Sequence, residues 1–163
     1  MYIYTDGACI NNGKNYAKAG IGIYFGKNDP RNVSKRIDGK QTNNTAELKA
    51  ILEALRILDK EIKDKIDIYI ITDSEYAIKC CTSYGCKLNK ANWKIKNNKI
   101  IPNLDLVKEL FNITSIYPNI HFQHIMAHTN NEDIHSIGNY NADLLAKSSL
   151  LNTNNNILAK LSI

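Results

Sequence analysis

The chain lacks an apolar run long enough to cross a bilayer, which excludes a membrane-spanning helix. It also lacks a basic-then-apolar leader. Met1-Tyr2-Ile3-Tyr4-Thr5-Asp6 reads as a strand, so the chain is not expected to be secreted. Proline and glycine are few, 3 and 8 among 163 residues, and neither a linker nor an internal repeat divides the sequence. At this length a single domain with a real core is expected. The four cysteines, Cys9, Cys80, Cys81 and Cys86, lack the paired C-x-x-C spacing of a zinc site. Adjacent Cys80-Cys81 suits neither a zinc cage nor an ordinary disulfide framework. Free thiols in a reducing intracellular compartment, cytoplasm or nucleus, are the expectation.

One stretch lacks acids altogether. From Lys87 to Lys99 the sequence reads "KLNKANWKIKNNK", with Lys87, Lys90, Lys94, Lys96 and Lys99. These five lysines equal the whole net charge of +5, because the other basic residues balance the 16 acids. The stretch holds the single tryptophan, Trp93, and follows Tyr84. It reads either as a solvated loop or as a surface that grips a phosphate backbone.

Apolar periodicity sets the order of elements. Strands are expected at 1–6, 21–25, 33–37, 66–72 and about 120–126. Leu48, Ile51, Leu52, Leu55 and Leu58 recur at helical spacing, predicting a helix over 44–59. Further helices are expected over 74–82, from about 103, and over 138–151. This order is mixed α/β, with helices available for both faces of one sheet. The tail "NTNNNILAKLSI" carries no assigned role.

Four acids stand at the junctions of these elements. "IITDSE" ends a buried strand with Asp73 and starts a helix, and "IYTDGA" repeats that pattern around Asp6. Taken singly, Asp73-Ser74 reads as a helix cap and Asp6-Gly7 as a turn. If the two strands run parallel as neighbours, the carboxylates sit side by side near their carboxyl ends, where open α/β sheets place ligands. Adjacent carboxylates repel unless a cation lies between them, and hard cations such as Mg²⁺ take such oxygens. Glu47 has capping-box spacing from Asn44, yet it also heads the amphipathic helix beside its first core residue. Asp143 is expected in the first turns of the last helix, where its plain role is a favourable contact with the helix dipole.

The ordered set Asp6-Gly7, Thr42-Asn43-Asn44-x-x-Glu47-Leu48, Thr72-Asp73-Ser74-x-Tyr76, His128, and Gly138-Asn139-x-x-Ala142-Asp143 resembles ribonuclease H type 1. The resemblance covers about residues 1–150. It implies a five-stranded mixed sheet, three strands antiparallel and two parallel, flanked by helices. It implies a catalytic domain over 1–151, with 87–99 as a basic protrusion and 152–163 as a tail. The implied activity is endonucleolytic cleavage of the RNA strand of RNA–DNA hybrids, leaving 5′-phosphate and 3′-hydroxyl ends.

By the same resemblance, Asp6, Glu47, Asp73 and Asp143 bind two Mg²⁺ ions, with Mn²⁺ as a substitute, and His128 assists proton transfer or product release. Asn12, Asn43 and Asn44 fall where the family contacts the nucleic-acid backbone and 2′-hydroxyls, and Thr42 where it holds a DNA phosphate. Tyr84, Lys87, Lys90, Trp93, Lys94 and Lys96 fall in the gripping protrusion. The partner implied is an RNA–DNA hybrid, bound by a monomer. Three departures stand out: Glu75 replaces a glutamine of some relatives, the stretch from His128 to Asp143 is longer than in bacterial enzymes, and no separate hybrid-binding domain is expected ahead of residue 1, so that affinity is expected to rest on the catalytic domain. The same architecture also serves reverse-transcriptase ribonuclease H domains and DNA-cutting resolvases or transposases. A non-catalytic hybrid-binding module would require one of the four acids to be missing, and all four are present.

Overall fold

The computed structural model describes residues 1–95, 99–126 and 133–151. Five strands, β1 (Tyr2–Ile10), β2 (Lys18–Tyr24), β3 (Val33–Arg36), β4 (Ile68–Thr72) and β5 (Ile120–His124), form one sheet in the order β3-β2-β1-β4-β5. Strands β1, β2 and β3 pair antiparallel, while β4 runs parallel to both β1 and β5. This is the mixed sheet expected. The helices are α1 (Asn43–Ile57), α2 (Asp59–Lys63), α3 (Glu75–Cys81), α4 (Ser83–Lys90), α5 (Leu104–Ile116) and α6 (Ile134–Ser148). None of the described helices is long and apolar enough to cross a membrane.

Alternation along β1 assigns the two faces. Ile3 joins Ile23, Leu48, Ile51 and Ile70 in the main core under α1, all fully buried. Tyr4 and Ala8, one residue out of phase, pack instead against Ala142 and Ala146 of α6. Burial of each Ile or Leu here contributes about 1.5–3 kcal/mol, and the helical spacing of Leu48, Ile51, Leu52 and Leu55 delivers four to one face.

Several boundaries differ from the sequence expectation, and the differences matter for the site. Strand β1 continues through Asp6-Gly7 to Ile10, so that pair lies within a strand and not in a turn. Helix α1 starts from Thr42, whose hydroxyl accepts the Thr45 N–H at 3.2 Å. The Asn44–Glu47 capping box therefore does not form. Ser74, not Asp73, caps α3 by accepting from the Ala77 N–H. Helix α6 starts four residues early, because the Asp133 carboxylate accepts the His135 and Ser136 N–H groups. Asp143 is consequently in its third turn, where the N-terminal dipole has faded. Helix α4 and the short α2 have no counterpart in the sequence expectation; α4 converts the start of the basic stretch, Lys87 to Lys90, into helix.

Candidate active site

Capping by neighbours frees both acids of the central motifs. Thr42 and Ser74 satisfy the helix N-termini, so Glu47 and Asp73 are not consumed as caps. The parallel register pairs Tyr2 with Tyr69 and Tyr4 with Ile71, and carrying it two residues further sets Asp6 level with Asp73. Strand β4 stops at Thr72 while β1 runs on, which leaves that side of β1 open for a side chain from α1.

Two glycines bring the helices in. At Gly7 a Cβ would overlap the Glu47 amide nitrogen and the Ala46 backbone, so the strand and the start of α1 meet only because the side chain is absent. Gly22 lies directly across from Asp6 in the β1–β2 ladder, and a Cβ there would run into the Ala142 carbonyl oxygen. That close approach sets α6, and with it Asp143, against Asp6.

Carboxylate oxygens of Asp6, Glu47 and Asp73 all lie within 4.8 Å of one another. Asp6 and Glu47 are buried, 6% and 4% exposed. These three acids and Asp143 line a cleft of about 320 Å³ together with Cys9, Asn43 and Lys147. Burial above all, then the charges of Asp73 and Asp143, pushes the Asp6 carboxyl from its ordinary 3.8 up to about 7, against the Gly7 N–H bond that favours its charged form. Burial, followed by the Asp6 and Asp73 charges, holds Glu47 well above the usual carboxylate range. Such mutual elevation calls for a counter-charge.

One atom makes the point directly. Glu47 Oε2 is buried without a hydrogen-bond partner among the described residues, although Asn43 donates to Oε1 at 3.4 Å. An unpaired carboxylate oxygen costs at least about 1–3 kcal/mol in such a place. Hard divalent cations seek this all-oxygen set, so the residues fit Mg²⁺ or Mn²⁺.

Other expected residues are placed as follows. Asn12, exposed in the turn after β1, accepts the Asn43 N–H at 3.4 Å, which sets Asn12, Thr42, Asn43 and Asn44 together at the mouth formed by the start of α1. Lys87, Lys90 and Lys94 are exposed. Tyr84 and Trp93 are half-buried and pack against the main core, with Trp93 edge-on to Phe111 at 6.1 Å. Both therefore anchor the basic segment to the body, and only their outer edges remain for a ligand. Lys108 sits over the Trp93 ring at 5.6 Å. Glu75 is exposed and paired with Lys79 at 2.6 Å. His128, Lys96 and the tail 152–163 lie outside the described residues. The four cysteines are free thiols, Cys80 and Cys81 buried in the core.

Sequence reasoning missed two contributors. Lys147, one turn after Asp143, pairs with it at 2.7 Å inside the cleft, a link readable from i,i+4 spacing. Asn103, in a left-handed conformation at the start of α5, donates to the Tyr76 hydroxyl and accepts from Thr45, whose hydroxyl lies 2.7 Å from that of Thr42. This chain of bonds ties α3 and α5 to the N-terminus of α1. Nothing local in the sequence announces it.

Fold and site together define a mixed α/β domain with a carboxylate centre suited to divalent metal. Residues 1–150 match the RNase H family, and the chain belongs to that family. It is similar to Ribonuclease H of Schizosaccharomyces pombe, 37% identical over 146 residues, which is 89% of this chain and 51% of that protein. It is also similar to Ribonuclease H1 of Mus musculus, 34% identical over 90% of this chain and 49% of that protein. The chain thus spans about half the length of these curated relatives. Among solved structures, the PFV RNase H domain superposes with a TM-score of 0.69 at 25% identity, covering 91% of this chain and 92% of that one. LC11-RNase H1 gives 0.61 at 26% identity, over 91% and 93%.

Proposed function

We propose that this chain is an endonuclease that hydrolyses the RNA strand of RNA–DNA hybrids with the help of two divalent cations, leaving 5′-phosphate and 3′-hydroxyl ends. The observation that carries the reading is the convergence of Asp6, Glu47 and Asp73 within 4.8 Å, with Asp143 on the same cleft. Membership in the RNase H family, and curated relatives named ribonuclease H, supply the substrate class.

In this reading the four carboxylates are the metal ligands. When bound, Mg²⁺ or Mn²⁺ supplies an activated water on one side of the phosphorus and charge stabilisation for the departing O3′ on the other. The chain's own residues do the rest. Two rigid strands and two helices hold the acids, so their oxygens need little rearrangement during turnover. Asn12, Asn43 and Asn44 offer amides to the 2′-hydroxyls and backbone of the RNA strand, and only 2′-hydroxyl contacts separate RNA from DNA at that place. Thr42 holds a phosphate of the DNA strand. Lys87, Lys90, Lys94 and Lys96 grip the backbone from a segment that Trp93 and Tyr84 fasten to the body, and His128 aids proton transfer or product release. The proposal includes a monomer in a reducing intracellular compartment.

A labelled RNA–DNA hybrid incubated with the protein and Mg²⁺, beside Asp73→Asn, tests this. Cleavage of the RNA strand by the native chain alone is expected. Intact RNA in both, or equal cutting by both, refutes the catalytic assignment. Duplex RNA and duplex DNA run in parallel should stay uncut, and preferential cutting of duplex DNA would point to a resolvase-type activity instead.

A further inference from the structure

Lys147 stands in the cleft with the acids, its Nζ 2.7 Å from Asp143 Oδ2. Two features separate this pair from an ordinary helical surface contact. The acids of the other i,i+4 pairs, Asp59–Lys63 and Glu75–Lys79, have side chains 62% and 63% exposed, whereas Asp143 is 16% exposed. Furthermore, Asp143 reaches the acid group through Asp6 alone: the oxygens gathered mutually within 4.8 Å are those of Asp6, Glu47 and Asp73, and Asp143 lies at hydrogen-bonding range of Asp6. Its charge still reaches Asp6, and Lys147 feels both acids. The fourth acid is thus beside the centre, with its Oδ2 paired to the ammonium of a side chain that is itself 57% exposed.

Building on the nuclease reading above, we propose that Lys147 is a built-in counter-ion that occupies Asp143 Oδ2, so that Asp6, Glu47 and Asp73 take a first divalent cation and a second binds only as Lys147 releases Asp143. Lys147 is a positioning residue in this scheme. Its ammonium and a metal ion compete for the same carboxylate oxygen, which separates the two binding events in affinity. Removing the ammonium should tighten the second event much more than the first.

The test is a double-mutant cycle on metal binding, read without substrate. Mg²⁺ is titrated calorimetrically, and Mn²⁺ by electron paramagnetic resonance, into the full chain, Lys147→Met, Asp143→Asn and the double variant. Thermal melts of each confirm folding; Met keeps the aliphatic stem. In the native background Lys147→Met should tighten the weaker event by about two- to fivefold, the scale of one ion pair with a half-shielded partner. In the Asp143→Asn background the same change should have little effect. Equal tightening in both backgrounds would mean that Lys147 acts only as a diffuse surface charge, overturning the proposal. So would tightening confined to the first event, or none. If the native chain binds a single ion at all concentrations, this inference falls while the carboxylate centre stands. If it binds no divalent ion, the nuclease reading falls with it.

Discussion

The buried carboxylates should make the metal-free protein less stable than a variant lacking one of them. Asp6 is the clearest case. Its carboxyl is held at about 7 against an ordinary 3.8. At about 1.36 kcal/mol per pH unit, that elevation penalises the charged native form by up to ~4 kcal/mol. Asn at this position keeps the shape and an oxygen for the Gly7 N–H, now 2.8 Å from Asp6 Oδ1, but carries no charge. Allowing for some weakening of that bond, Asp6→Asn should stabilise the metal-free protein by about 2–4 kcal/mol at pH 8. For a domain of this size the rise in Tm is roughly 5–15 °C.

The sign follows from proton counting. Between about pH 4 and 7 the native state keeps a proton on Asp6 that the unfolded state has released, so native stability falls as pH rises through this window. Below about pH 4 both states are protonated and the variant has no advantage. Urea or thermal melts in EDTA from about pH 4 to 8.5 should therefore show the two proteins converging in acid and separating towards neutrality. Excess Mg²⁺ should raise the native Tm and leave Asp6→Asn much less affected. A gap independent of pH, or a variant less stable at alkaline pH, would refute the electrostatic account.

Gly22→Ala should push α6 off β2, because its Cβ meets the Ala142 carbonyl; a destabilisation of about 2–4 kcal/mol in urea melts is expected, with hybrid cleavage falling further than stability alone explains. Asn103→Ala breaks the bonds to Tyr76 and Thr45 and should cost about 1–2 kcal/mol, and its kinetic effect should fall on KM for the hybrid, since Thr42 and Asn43 lose support while the carboxylates do not. Neutralising Lys90, Lys94 and Lys96 together should flatten the salt dependence of hybrid binding by about one unit of log–log slope for each phosphate that is no longer neutralised, with turnover at saturation little changed; an unchanged slope returns the segment to solvent.

The fold and the four acids are legible in the sequence because each motif has two reasons to exist at once. The apolar run before Asp73 marks a buried strand, and Leu48, Ile51, Leu52 and Leu55 mark the face of α1. Local grammar fails where two residues compete for one duty. Asp73 and Ser74 both suit an N-cap, and Ser74 takes it; Asn44 and Thr42 both suit the start of α1, and Thr42 takes it. The start of α6 escapes a reading by periodicity because Asp133 lies in a polar stretch, so only its bonds to His135 and Ser136 reveal the cap. Trp93 reads as a ligand contact from its place in the basic segment, and its packing on Phe111 is a second contact that the sequence does not announce, because it comes from a helix that follows later in the chain. The Asn103 link joins segments far apart in sequence, and composition holds no trace of it.

The two competitions for a helix cap bear on function. At both helix starts beside these acids a hydroxyl performs the cap: Thr42 near Glu47 and Ser74 next to Asp73. A hydroxyl cap stabilises a helix about as well as a carboxylate does, so stability gives no ground for keeping the acids free of that duty. Gathering them uncapped is instead costly, as the elevated Asp6 and Glu47 carboxyls and the unpartnered Glu47 Oε2 show. Sequences otherwise agree with their structures at every level, and sustained local conflict concentrates where a site needs it. Replacing Glu47 with Gln should therefore raise metal-free stability in the same pH-dependent way as Asp6→Asn while abolishing Mg²⁺-induced stabilisation. If Glu47→Gln instead lowered stability at alkaline pH, the strain would lie in packing, and the case for a cation site among these side chains would lose its footing.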